Sequence, residues 1–237
     1  MTVDARKRLV SEALGTAMLL AAVVGSGVMG ERLAAGNAAV ALLANTLATG
    51  AALVALILTF GPISGAHFNP AVTLADASQG GIGWRHVPGY IGAQLIGAIG
   101  GVWIAHGMFG ERLFMLSTHP RSGLAQMFSE FVATFGLLAV IWGCSRRRSA
   151  ALPFAVAAYI TAAYWFTAST SFANPAVTLA RALTDTFSGI APRDVPGFIA
   201  AQLLGAATAT ALFRWLVPSL PATADGLVMS RIDEGTP

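Results

Sequence analysis

The sequence predicts an all-α membrane protein with six transmembrane helices and two re-entrant half-helices, arranged as two inverted repeats. Three observations predict this fold. The chain of 237 residues is 55% hydrophobic and only 11% charged, whereas about a quarter of the residues in soluble domains are charged. It contains six apolar runs long enough to cross a bilayer, and it carries the heptapeptide NPAVTLA twice.

The composition also excludes several classes of protein. The net charge is +3, but the basic residues lie in short clusters between apolar runs and not along one face, so nucleic acid is not an expected partner. The chain has a single cysteine, Cys144, which rules out an internal disulfide and, without a Cys/His cluster, a metal site. No ATP-binding P-loop or catalytic arrangement is recognisable, and we expect no enzyme activity and no cofactor.

The six apolar runs are the predicted transmembrane spans, since a helix needs about 20 residues to cross a bilayer. The first run is not a signal peptide, because Glu12 interrupts its apolar start and five further runs follow. The predicted spans are 9–30, 33–60, 87–109, 124–144, 149–169 and 195–216.

The basic residues between the spans predict the orientation of the chain. With the N-terminus in the cytoplasm, nine basic residues lie inside and five outside, which favours two cytoplasmic termini. The inside set is Arg6, Lys7, Arg8, Arg85, Arg146, Arg147, Arg148, Arg214 and Arg231. The outside set is Arg32, Arg112, Arg121, Arg181 and Arg193.

A long uncharged stretch leaves apolar sequence beyond the second span. Residues 33–75 contain no Asp, Glu, Lys or Arg. The Gly and Pro residues of GPISGAHFNP break the helix, and Asn69-Pro70 starts another, because Asn is a favoured N-cap and Pro a favoured first residue. Asn174-Pro175 repeats this signal 105 residues later (174 minus 69). We therefore predict two loops that enter the membrane and return as short helices.

The duplication extends over the whole chain. Residues 87–98 and 195–206 match at nine of twelve positions, and each half opens on Ser-Glu, at Glu12 and at Glu130. Each half contains three full spans, an odd number, so the second half enters from the opposite face. The predicted inverted repeats are residues 9–109 and 124–216.

Two half-helices that enter from opposite faces would meet with their N-termini near the middle of the membrane. These ends carry partial positive charge and repel cations. Each Asn can cap its helix with the side-chain oxygen and leave the NH2 group free to donate to a passing hydroxyl. Irregular backbone at this depth is tolerated only where it is buried in protein or lines a wet cavity. A pore supplies such a cavity, and the pattern indicates one. A single Asn-Pro is usually only a helix start, but two symmetric copies favour a functional role.

The duplicated NPA boxes, the segment SGAHFNPAVTLA and an early Glu in the first and fourth spans resemble the major intrinsic proteins, the aquaporin and aquaglyceroporin family, over residues 9–216. The resemblance implies that residues 1–237 form one channel domain with one pore per subunit of a homotetramer. The pore motifs that it implies are Asn69, Pro70, Ala71, Asn174, Pro175 and Ala176. The segment STSFANPAVTLARALTDTFSGI is similar to bacterial members associated with arsenic resistance, which implies a multi-pass protein of the bacterial inner (plasma) membrane.

The resemblance gives Glu12 and Glu130 a structural role, namely to bind the backbone of the two loops. An alternative stays open, in which the two carboxylates carry protons in an ion-coupled secondary transporter. His67 is expected to brace its loop or to lie on the gate side of the pore and not to bind a metal, since no second His or Cys lies at metal-ligand spacing.

The selectivity filter is where the sequence departs from the family. Most members have Arg directly after the second NPA box, and here Val177 takes that place. Counted without gaps, the other filter positions are Thr49, Ala162 and Ser171, and we expect a wide, moderately polar constriction. Arg181 is expected to stay on the outer side in water, paired with Asp185 one helical turn further along.

These features predict a passive channel whose partners are the lipid bilayer, water and small neutral solutes. The expected solutes are glycerol, urea and metalloid hydroxides such as arsenous acid, which is compact and uncharged at neutral pH. Two alternatives remain at this point, the ion-coupled transporter and a mainly water-selective aquaporin.

Overall fold

The computed structural model describes residues 4–145 and 149–217, and Arg146, Arg147, Arg148 and Arg231 of the predicted charge pattern lie outside them. All regular structure in these residues is helical, which confirms the predicted fold class. The α-helices, in chain order, are α1 (Ala5–Leu33), α2 (Ala38–Ser64), α3 (Pro70–Ser78), α4 (Val87–Phe109), α5 (Leu124–Ser145), α6 (Leu152–Phe166), α7 (Pro175–Arg181) and α8 (Val195–Leu216).

Five of these helices, α1, α2, α4, α5 and α8, are long and apolar enough to cross a membrane. Helix α6 is shorter, with 15 residues, or about 23 Å at 1.5 Å per residue. A 3-10 turn, Ser149–Ala151, precedes it, and the chain leaves the helix at Thr167. The predicted span 149–169 is therefore α-helical over only part of its length.

The outer surface carries large apolar side chains. Ile96 is 73% exposed, Leu204 61% and Trp215 76%. Soluble monomers rarely expose broad apolar patches, whereas a surface in contact with lipid tails must do so. The surface therefore agrees with the apolar composition in placing the helices in a membrane.

Helix α2 runs further than the sequence predicts. The predicted end is residue 60, but the helix continues through Pro62 and ends at Gly65, which adopts the left-handed conformation with φ of 91°. Pro62 lies in the last turn, where the missing N–H costs at most one helical hydrogen bond. Gly65 then provides the positive φ that commonly ends a helix, and the re-entrant loop begins there.

The long helices pack in the same way in the two halves of the chain. Helix α1 packs on α2 and α4, and α5 packs on α6 and α8. Glycines permit the close crossings, since a Cβ on Gly97 would lie 2.2 Å from the carbonyl oxygen of Ala13 and one on Gly205 would lie 2.5 Å from that of Phe131. Such small residues let helix backbones approach in membranes, where no hydrophobic effect drives helices together.

The half-helices α3 and α7 fill the space between the two halves. Both pack on α4 and α8, and they touch each other. The loops that precede them contain left-handed residues, including Ala66 and Phe68 in the first, and Ser171 and Ala173 in the second. Backbone in this conformation forms no helical ladder, so its N–H groups need other partners. The repeat boundaries 9–109 and 124–216 remain predictions.

We predict that Gly97→Ala lowers the free energy of unfolding by about 1–3 kcal/mol, because the added methyl group overlaps the backbone of α1. Thermal unfolding of the purified protein in detergent measures this loss. Gly92→Ala is the matched control, because an added Cβ there meets nothing within 4 Å. Equal midpoints for the two variants would contradict the described α1–α4 crossing.

Candidate functional site

The two half-helices begin at their Asn-Pro pairs. Asn69 Oδ1 accepts a hydrogen bond from the backbone N–H of Ala71 at 2.9 Å. Asn174 Oδ1 accepts from the N–H groups of Ala176 and Val177 at 3.0 and 3.3 Å. Pro70 and Pro175 are the first helical residues. The sequence therefore forms two capped helix N-termini, as the N-cap preferences predict.

The two Asn side chains also join the loops to each other. Asn69 Nδ2 donates to the carbonyl of Ala173 at 2.8 Å, and Asn174 Nδ2 donates to the carbonyl of Phe68 at 2.8 Å. The sequence predicts that each NH2 group is free to bind a permeating molecule. That expectation is wrong in part, because one hydrogen of each group already binds the opposite loop. An amide nitrogen carries two hydrogens, so one N–H per side chain remains for the cavity described below.

Glu12 binds the first loop from α1. Its carboxylate accepts from the backbone N–H groups of His67 at 3.0 Å and Phe68 at 2.7 Å. It also accepts from Ser64 Oγ at 2.6 Å and Gln94 Nε2 at 2.8 Å. The side chain is fully buried, and charge-assisted bonds of this kind are about twice as strong as neutral ones.

Glu130 binds the second loop from α5 in the same way. It accepts from the N–H groups of Phe172 at 2.8 Å and Ala173 at 2.9 Å, and from Gln202 Nε2 at 2.5 Å. This side chain is also fully buried. Both carboxylates thus supply acceptors for left-handed backbone that has no ladder partner.

His67 braces the first loop. Its Nδ1 lies 3.1 Å from Thr73 Oγ1, and its Nε2 lies 3.6 Å from Asp76 Oδ2. Its ring centroid is 5.4 Å from that of Tyr90. No group of three His, Cys, Asp or Glu residues that could hold a metal occurs within residues 4–145 and 149–217.

A narrow cavity passes between the loops and the long helices. The centre of a water molecule can reach about 80 Å³ of it. Asn69, Asn174 and His67 are among its polar lining residues. Most of the remaining wall is aliphatic, and it includes Leu19, Val23, Leu53, Ile57, Ile141 and Ile160. The cavity therefore combines a short row of polar groups with an apolar wall.

Three of the four predicted filter residues line this cavity, namely Thr49, Ser171 and Val177. Ala162 does not, because it lies on the exposed face of α6. Tyr164 lines the cavity instead, with its hydroxyl 3.3 Å from Thr49 Oγ1. Tyr164 lies two residues beyond the position that the ungapped count gives, which is about half a helical turn. The spacing of four that relates the apolar residues Leu152, Val156, Ile160 and Tyr164 is the sequence signal that identifies the correct face.

The expectation for Arg181 is wrong. Its side chain is 2% exposed and lines the cavity. Nε donates to the carbonyl of Ser188, and the guanidinium carbon lies 3.4 Å from the ring centroid of Phe172. Asp185 instead accepts from the N–H and hydroxyl of Thr118 at 2.7 and 2.9 Å. Helix α7 ends at Arg181, so the helical spacing that would pair Arg181 with Asp185 does not exist. The hydrogen bonds from Thr118 hold the pKa of Asp185 below its ordinary value.

Arg121, in the loop between α4 and α5, lies beside the same ring. Its guanidinium carbon is 5.0 Å from the centroid of Phe172. Nε donates to the carbonyl of Gly189 at 2.8 Å and Nη1 to that of Ser169 at 3.1 Å. Sequence reasoning missed this residue, because a basic residue in a long loop has no periodic pattern that indicates its partners.

Comparison with known proteins now identifies the family. The family model described as "Major intrinsic protein" matches residues 1–151 and 143–235. Aquaglyceroporin AqpS of Rhizobium meliloti (strain 1021) is 56% identical over 219 residues, 92% of this chain and 94% of that protein. Aquaporin NIP6-1 of Arabidopsis thaliana is 34% identical over 57% of this chain and 44% of its own length.

A solved structure is similar as well. The X-ray structure of the aquaglyceroporin from Plasmodium falciparum matches with a TM-score of 0.70, over 92% of this chain and 100% of that one. The identity is 20%, so this likeness concerns the fold. With two buried carboxylates, two Asn-capped half-helices and matches along nearly its whole length, the chain belongs to the major intrinsic protein family of membrane channels.

Proposed function

We propose that the protein is a passive channel for water and for small neutral hydroxylated or amide solutes. The solutes are glycerol, urea and metalloid hydroxides such as arsenous acid. The observation that carries this proposal is the pair of half-helix N-termini whose capping residues, Asn69 and Asn174, line one cavity. Membership of a channel family supports passive flow, and a 56% identical relative described as an aquaglyceroporin supports the class of solute.

The mechanism follows from the chemistry of the cavity wall. A permeating molecule leaves its hydration shell at the apolar wall, and the remaining N–H of each Asn replaces part of that shell with directed hydrogen bonds. A neutral solute needs few such bonds. A cation would lose far more hydration, and it would meet the positive ends of two helices. The arrangement thus favours neutral molecules.

The proposed constriction consists of Thr49, Tyr164, Ser171 and Val177. It lacks an Arg directly after the second NPA box, and the smaller Val177 leaves more room at this position than an Arg side chain would. A wider lumen admits solutes larger than water, and this supports glycerol and arsenous acid over a strictly water-selective pore. We also propose a homotetramer in the bacterial plasma membrane with both termini in the cytoplasm.

The geometry favours this channel over the ion-coupled transporter. Glu12 accepts four hydrogen bonds and Glu130 accepts three. Neither carboxylate is among the residues that line the cavity. A proton carrier must exchange protons with the transport path, and these two groups do not line the cavity that we propose as that path.

We predict that Asn69→Ala and Asn174→Ala lower glycerol and water flux by about two- to tenfold, because each loses a hydrogen bond worth about 0.5–1.5 kcal/mol to the permeating molecule. Stopped-flow swelling of proteoliposomes measures the flux. Asn37→Ala is the matched control, since Asn37 caps α2 in the same way but is exposed and does not line the cavity. Parental flux in both pore variants, with confirmed incorporation, would contradict the proposed path.

We predict that Glu130→Gln lowers the free energy of unfolding by about 1–3 kcal/mol, because its amide presents a donor where buried N–H groups need an acceptor. Thermal unfolding in detergent and the yield of folded oligomer measure this loss. Glu111→Gln is the control, because its ion pair with Arg32 at 2.8 Å is partly exposed, and such pairs contribute about 0–1 kcal/mol.

The same Glu130→Gln protein separates the channel from the transporter. The surviving channels should conduct glycerol with the same pH dependence as the parent protein. A stable variant that has lost uptake driven by a pH gradient would contradict the anchoring role and favour the transporter.

A further inference from the structure

The outer part of the cavity contains a buried cation that the loop and helix architecture does not require. Arg181 is 2% exposed, and no carboxylate forms a salt bridge with it in the described part of the chain. Its Nε donates to Ser188, whereas its two terminal nitrogens donate no hydrogen bond to any residue that the structure describes. A buried cation without a direct ion pair is costly, which indicates that this one has a function.

The internal repeat shows that the fold itself does not need a cation here. Arg181 lies seven residues after Asn174, and Asp76 lies seven residues after Asn69. The two half-helices are identical over NPAVTLA and then differ in the sign of this one buried charge. Each charged side chain contacts the aromatic ring of the residue that lies two positions before its Asn. Asp76 Oδ2 lies 3.6 Å from Nε2 of His67. Arg181 contacts the ring of Phe172. The same scaffold thus accommodates either sign, and within residues 4–145 and 149–217 Arg181 is the one Lys or Arg that lines the cavity.

Arg181 lies close to the position where most family members have an Arg, directly after the second NPA box. It lies four residues, or one helical turn, beyond Val177, and helical side chains lean toward the N-terminus of their helix. Both side chains line the same cavity as Thr49 and Tyr164. Stacking on Phe172 and the bond from Nε to Ser188 fix the guanidinium plane. Its terminal nitrogens are the part of the side chain that remains for the cavity.

We propose that Arg181 is the cation of the outer constriction, supplied from one helical turn further out than the usual family position. This inference rests on the proposed channel function and deepens it. The charge repels cations, and the terminal N–H groups donate to the hydroxyl or carbonyl oxygens of neutral solutes. Because the guanidinium lies against Phe172 and the small Val177 takes the usual position, the proposed constriction is charged and still leaves room for a solute such as glycerol.

Arg121 lies beside the same Phe172 ring and joins the surrounding loops. Its bonds to the carbonyls of Gly189 and Ser169 connect the loop of residues 110–123 with the segments that flank α7. Its positive charge beside Phe172 also raises the local potential. Unlike Arg181, it is not among the residues that line the cavity.

The test compares Arg181→Met with the parent in proteoliposomes, with sodium leak and glycerol flux measured on the same preparation. Methionine keeps much of the length and apolar volume but removes the charge. We expect sodium leak to rise at least about tenfold, a change of about 1.4 kcal/mol in the barrier, while glycerol flux persists. Arg193→Met is the matched control, an exposed Arg on the 3-10 turn Pro192–Asp194, and it should leak no more than the parent.

A second variant keeps the charge and changes its shape. Arg181→Lys should exclude sodium like the parent but change the ratio of glycerol to water flux by at least about threefold, since an ammonium group cannot present the planar fork of donors. If Arg181→Met conducts glycerol and its sodium leak equals that of the parent, the inference is wrong. If Arg181→Met is not recovered folded, an unchanged flux ratio in Arg181→Lys overturns it.

The two readouts separate this inference from the function on which it rests. A parent protein that passes neither water nor any neutral solute would overturn the channel itself. If the parent conducts water or neutral solutes and the sodium leak of Arg181→Met does not exceed that of the parent, only the role of Arg181 is overturned.

Discussion

The structure depends on how backbone N–H groups are satisfied in a dry interior. Between Gly65 and Asn69, and between Thr170 and Asn174, the chain is neither helix nor strand, and water cannot supply acceptors to loops packed between transmembrane helices. Glu12 and Glu130 supply them, each with two N–H groups of its loop as donors. These bonds allow irregular backbone to exist at this depth. The Asn-Pro pairs that start the half-helices come directly after this backbone.

The other features of the site build on these anchored loops. The Asn side chains donate across to the opposite loop, so the two half-helix N-termini are held together. Gln94 and Gln202 join the carboxylates to Thr73 and Thr178 of the half-helices at equivalent positions. The halves diverge beyond this shared framework, where one buried position carries Asp76 and the other Arg181. Duplication thus provides the scaffold, and a single difference on it gives the two halves opposite buried charges.

Much of this arrangement could be predicted because its signals are local or repeated. Asn-Pro predicts a helix start from the N-cap and the fixed φ of proline, and the repeated heptapeptide marks both starts. The errors arise where tertiary geometry decides. Ala162 lies away from the cavity because an ungapped count does not indicate which face of α6 turns inward. The pairing of Arg181 with Asp185 assumes a longer helix than the one that ends at Arg181. The cross-loop bonds of Asn69 and Asn174 depend on contacts between segments about a hundred residues apart, which no local pattern reveals.

The proposed pore requires that the two half-helices enter from opposite faces of the membrane, and cysteine accessibility tests this directly. Arg85 and Arg193 are exposed residues at equivalent places, on the 3-10 turns that precede α4 and α8. In a Cys144→Ser background, which removes the only native cysteine, a membrane-impermeant thiol reagent is applied to Arg85→Cys and Arg193→Cys in intact cells and in inside-out vesicles. We predict that the Arg193→Cys protein reacts only from outside and the Arg85→Cys protein only from the cytoplasmic side. Labelling of both variants from the same side would contradict the inverted arrangement and, with it, the proposed pore.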